Sequence, residues 1–240
     1  MNFRTKIFFI GVFVALLLSP FVHALPTGPL VTYVSNTTLA SVAASRNQDE
    51  KGTITTVIMT ATQQDYKWKA YVGNVTGRFV LDDANAKAIY DWSLGTVTGK
   101  VFASRSSSIN WGSVSCVNQS IITNEESGFG VSSLSTDSIN STFSSTIHTS
   151  FLVGTVNISN STCRSTNTYI NGTPQTPAEN SSFQEILLKD SVTSSLVYTT
   201  LINPSTLGYN GVSTYDFQML LAENESSSTP TTYYFYVELG

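Results

Sequence analysis

The run TTYYFYVEL at 231–239 alternates without a break: Tyr233, Phe235, Val237 and Leu239 fall on one side, Tyr234, Tyr236 and Glu238 on the other. Only an extended chain gives side chains a period of two, so this run is a strand with one apolar face. The same reading places Tyr66, Trp68, Ala70 and Val72 inward over 66–72, with Lys67 and Lys69 outward. Over 74–81 it puts Val75, Phe79 and Leu81 inward and Asn74, Thr76 and Arg78 outward, and over 213–221 it gathers Tyr215, Phe217, Met219 and Leu221. Strands also read at 88–92 and 96–104, and more weakly at 30–34, 53–62, 146–156, 183–188 and 195–201.

About ten short strands, punctuated by turn pairs such as Asn171-Gly172 and Asn210-Gly211, predict an all-β fold. The polar stretch 223–230 predicts a final hairpin between the last two strands. Only 39–46, behind Asn36, Thr37 or Thr38 as a cap, predicts a helix. A sheet without helices must cover its apolar face with another sheet, so the expectation is an antiparallel β-sandwich, Ig-like or jelly-roll-like. Residues 25–240 make one domain in this reading, with a Ser/Thr/Asn-rich excursion over 128–182; alternatively, that stretch separates two smaller domains.

The chain begins with an export signal. Met1 to Lys6 carry two basic residues and no acidic one, and twelve residues without a charged or polar side chain follow at 7–18. Pro20 breaks the run, and Val22-His23-Ala24 suits cleavage after Ala24. A membrane anchor needs about 20 apolar residues, which this run does not reach. Residues 1–24 therefore read as a signal peptide, and no membrane span is expected after cleavage.

Removing Arg4 and Lys6 from the 12 basic residues leaves 10 against 16 acidic ones, a net charge of −6. That balance argues against nucleic acid or an anionic membrane as the main partner. Ser and Thr supply more than a quarter of the chain and charged residues only 12%. Cys116 and Cys163 are the only cysteines, and in an oxidising compartment two thiols most simply form one disulfide.

Nine asparagines lie in Asn-X-Ser/Thr: Asn36, Asn74, Asn118, Asn140, Asn157, Asn160, Asn171, Asn180 and Asn224. Each is a candidate N-glycosylation site, with Pro174 disfavouring Asn171. Catalytic signals are weak. Asp82-Asp83, Asp91 and Glu125-Glu126 are the nearest approach to paired carboxylates, and Asp82, Asp83 and Asn85 the nearest to a Ca²⁺ loop, without its usual spacing. His148 is the single histidine after cleavage, and no Gly-x-Ser-x-Gly surrounds the serines of 104–108. The expectation is therefore no enzyme, no metal and no cofactor. Trp68, Trp92 and Trp111 are candidates for stacking on sugar rings, with core packing as the alternative.

The segments WKAYVGNVTGRFVLDDANAKAIYDW (68–92), TVTGKVFASRSSSINW (96–111) and the closing TTYYFYVELG resemble uncharacterised secreted and cell-surface proteins of archaea. More loosely, the chain is similar to glycosylated archaeal thread and pilus subunits, which assemble by strand donation. The resemblance implies a structural cell-surface glycoprotein that forms or decorates a filament or envelope layer. Its partners would be further copies of itself, other surface proteins or glycans. Residues 25–35 are the donor candidate, pairing either in their own sheet or in a neighbour's. A secreted glycan- or protein-binding adhesion module is the other expectation.

Overall fold

The strand signals divide among several sheets. The computed structural model describes residues 24–45, 48, 50–224 and 231–240, so all but the last residue of the expected signal peptide lies outside it. The fold is mostly β, with fourteen antiparallel strands in several sheets and few helices. The strands are β1 (Trp68–Gly73), β2 (Arg78–Asp82), β3 (Ala88–Ser93), β4 (Gly99–Ser104), β5 (Val114–Cys116), β6 (Phe151–Val153) and β7 (Val156–Ile158). They continue with β8 (Ser165–Asn167), β9 (Gln184–Asp190), β10 (Leu196–Leu201), β11 (Thr206–Leu207), β12 (Thr214–Tyr215), β13 (Phe217–Ala222) and β14 (Tyr234–Leu239).

The central sheet runs β14-β4-β10-β9, and β5 and β8 share the outer edge of β9. These last two are the halves of one interrupted edge strand. β5 pairs with residues 190–188 and β8 with residues 186–184. Between them Val117 N–H donates to the Leu187 carbonyl, and Leu187 N–H donates to the Arg164 carbonyl. Residues 118–163 are thus inserted into a strand. The disulfide Cys116–Cys163, with Cα atoms 4.9 Å apart, closes the base of that insertion.

The insertion wraps around the edge and covers both faces of the sheet. On one face α1 (Gln119–Gly128) and α2 (Ile139–Thr142) bring Ile122 and Phe143 onto Ala103, Leu187 and Tyr198, beside Met219 and Leu221 of β13. On the other, the β6–β7 hairpin sets Phe151, Val153 and Ile158 against Phe102, Ile186 and Val197. β13 pairs with β1 as a separate ribbon packed on the first face.

Several sequence expectations are corrected. Residues 39–45 are not helical. The helices stand where none was expected, and α1 is capped by the Asn118 side chain accepting from Ile121 N–H. Residues 30–34 and 53–62 form no strand. The final two strands are not a hairpin: β13 pairs with β1 and β14 with β4. Along β1 the face turned to the core is the one carrying Tyr71, which register sets opposite buried Met219; Trp68 and Ala70 lie on the other face, where Ala70 is exposed and Trp68 is covered by Phe143. On β14 the second face is covered at Tyr236, which packs on Trp111, and at Glu238, which the insertion buries; Tyr234 alone stays exposed.

Gly99 is required where β4 meets β14. Its φ is +130°, and a Cβ there would collide with the Glu238 carbonyl.

Candidate interaction surface

Most chemistry-bearing residues prove to be occupied in holding the fold. Asp83 accepts N–H bonds from Asn85 and Lys87, closing the β2–β3 turn; these bonds, the one from Lys87 foremost, hold its carboxyl below the usual range. Glu125 and Glu126 point apart. Glu125 takes the Arg105 guanidinium with both oxygens, at 2.8 and 2.6 Å, while Glu126 accepts from Asn140 N–H and ties α1 to α2. A cleft of about 310 Å³ lies beside Arg105, lined by serines 104, 106, 194 and 195, but its guanidinium is already paired.

Serines 104 and 106 donate to the carbonyls of Leu196 and Ser108. The His148 ring is buried: Nε2 accepts from Thr162 and Cys163 N–H, so the proton sits on Nδ1, which donates to the Thr149 carbonyl. His148 thus anchors the disulfide-bearing turn. Among the described residues, no three His, Cys, Asp or Glu side chains come together as a metal site, and no helix is long and apolar enough to cross a membrane.

The tryptophans divide sharply. Trp68 stacks near Phe143 and donates its indole N–H to the Asp137 carbonyl; Trp111 is buried between Phe102 and Tyr236. Trp92 is open to solvent, with Tyr90 at 4.7 Å.

Trp92 belongs to a ribbon that no other strand joins among the described residues. β2 and β3 pair only with each other, and every residue of both is exposed. Register sets Phe79 opposite Trp92 and Leu81 opposite Tyr90, so all four share one face. They are 41, 49, 55 and 58% exposed in the order Phe79, Trp92, Leu81, Tyr90. The reverse face carries the ion pair Arg78–Asp91 at 3.0 Å. Alternation sets Phe79 and Leu81 inward, toward the core; they lie on the surface.

The N-terminal segment is the second stretch with apolar side chains open to solvent. Thr27 exchanges both backbone hydrogen bonds with Val237 on the outer edge of β14, and Pro26 is buried beside it. Continuing that register would set residue 29 opposite Phe235, where Pro29 has no N–H to donate. Pairing stops there. Residues 28–45 and 50–63 are exposed apart from half-open Gln64 beyond them, and they present Leu30, Val34, Ile54, Ile58 and Met59 to solvent.

The sequons lie at the surface in most cases. Asn36, Asn74, Asn118, Asn157, Asn160, Asn171 and Asn180 are exposed, and Asn140 and Asn224 half-buried. Asn118 Oδ1 is the helix cap, and Asn160 Nδ2 donates to Glu179. Asn171 sits at φ +49°, with Gly172 at +66°, in a two-residue turn closed by the Ile170–Thr173 bridge; its side chain lies against Gly211.

Compared with protein-family models, with curated proteins and with solved structures, the chain matches none.

Proposed function

We propose that the protein is an exported, N-glycosylated structural component of the cell surface that associates with further copies of itself in a filament or envelope layer. The observation that carries this reading is the combination of a well-packed body with large apolar side chains left uncovered at 28–63 and on the β2–β3 ribbon. Soluble monomers rarely leave contiguous apolar surface open, and uncovered strands invite pairing with another chain. In this reading the six-stranded sheet and the β1–β13 ribbon laid on it form the two layers of a small sandwich.

Export is supported by the disulfide and by the position of the expected cut. Cleavage after Ala24 would leave Leu25-Pro26-Thr27 at the new terminus, where Pro26 is buried and Thr27 is hydrogen-bonded to Val237. Sugar on the exposed sequons would keep the insertion and the 171–180 region in solvent.

Negative-stain microscopy of the purified mature glycoprotein tests the reading. Regular polymers or discrete oligomers are expected; stable monomers at every concentration would contradict it. Intact mass before and after deglycosylation and reduction reports the cut, the sugar count and the disulfide together.

A further inference from the structure

We propose that the apolar face of the β2–β3 ribbon is a self-complementary contact that packs on the same face of a second copy. This rests on the self-association reading above and names its site. Phe79, Leu81, Tyr90 and Trp92 cover one side of the ribbon, and all four are exposed among the described residues. A two-stranded ribbon solvated on both faces is marginal in water; one with a continuous apolar side is completed by a second layer about 10 Å away.

The occupant follows from charge and chemistry. Every formal charge of the ribbon is off this face: Arg78 and Asp91 pair on the reverse, and Asp82, Asp83 and Lys87 lie at the turn. Two copies can therefore meet face to face without opposing charges, although the chain is net negative. The acidic turn disfavours entry into an anionic lipid surface. A sugar needs a ring of hydrogen-bonding groups, and this face offers only the Tyr90 hydroxyl and the Trp92 indole N–H, with the two rings inclined at 59°. No sequon falls between Asn74 and Asn118, so the ribbon stays free of attached glycan. An uncharged patch meeting its own copy about a two-fold axis is the isologous arrangement of most dimers.

The test uses Leu81→Lys and Leu81→Glu in the full mature chain, measured by sedimentation velocity over a concentration series. Leu81 is exposed and outside both cores, so either variant should keep the wild-type circular dichroism and melting temperature. Each variant alone should associate at least tenfold more weakly than wild type, because like charges then face one another. An equimolar mixture should recover association through the Lys–Glu pair. The inference falls, and self-association stands, if both variants associate as wild type does. It also falls if both are monomeric and the mixture does not recover, since the ribbon then receives some other occupant, such as the 53–62 segment. A wild type that stays monomeric throughout overturns both the inference and the reading beneath it.

Discussion

Removing the disulfide, as Cys116→Ala with Cys163→Ala, isolates what the closure of the insertion contributes. The bond spans 47 residues. In the chain-entropy model a loop of that length restricts the unfolded chain by about 4 kcal/mol, roughly a thousandfold in the folding equilibrium. The folded state should change little, since Ile122, Phe143, Phe151 and Ile158 hold the insertion to both faces of the sheet without the bond. For a body of this size the loss corresponds to a melting temperature lower by roughly 8–16 °C. Urea unfolding followed by circular dichroism and tryptophan emission gives the free energy and its denaturant slope. The slope should rise, because the unlinked chain exposes more surface on unfolding. A loss below about 1 kcal/mol, with an unchanged slope, would refute the claim that the bond acts by pinning a long insertion in the unfolded chain.

Glu185 is wholly buried, and burial pushes its carboxyl well above the ordinary value of 4.5, against one N–H bond from Leu220. The neutral acid is the form the fold accepts, so its contribution is complete below pH 4.5 and falls as pH rises toward the raised folded value. Wild type should therefore lose stability relative to Glu185→Gln as pH is raised through this window, by up to about 1.4 kcal/mol per unit; parallel curves in pH-dependent urea unfolding would count against it. Asn118→Ala should cost about 1 kcal/mol as a lost helix cap, whereas Ser120→Ala removes the sequon, keeps the capping oxygen and should cost less than half as much; melting temperature and intact mass separate the two roles. Gly99→Ala should destabilise by about 3 kcal/mol, or prevent folding, because φ +130° and the Glu238 carbonyl leave a Cβ no place; a change under 1 kcal/mol in chemical denaturation would argue against that contact.

Much of the central sheet was legible because its strands are long enough to show a pattern: β4, β10 and β14 lie within predicted runs and β9 overlaps one. The interrupted edge strand was not, since Val114–Cys116 and Ser165–Asn167 are three residues each and mostly polar. α1 was hidden by a double meaning: Asn118 is both a sequon and a helix cap, and only the second is a secondary-structure signal. Alternation places Phe79 and Leu81 on one apolar face, but periodicity reports that a face is apolar and not what covers it, and only register brings Tyr90 and Trp92 onto that face. The same limit applies in reverse to β14, where alternation turns Tyr236 and Glu238 outward, yet Glu238 is buried and Tyr236 half-buried.

Amide hydrogen exchange on the full mature chain, compared between dilute and concentrated solutions, bears most directly on self-association through the ribbon. The account predicts that residues 78–93 exchange rapidly when dilute and become protected on concentration, while β4, β9 and β10 are protected in both. Rapid exchange across 78–93 at every concentration, or protection that appears only along the β14 edge, would contradict it.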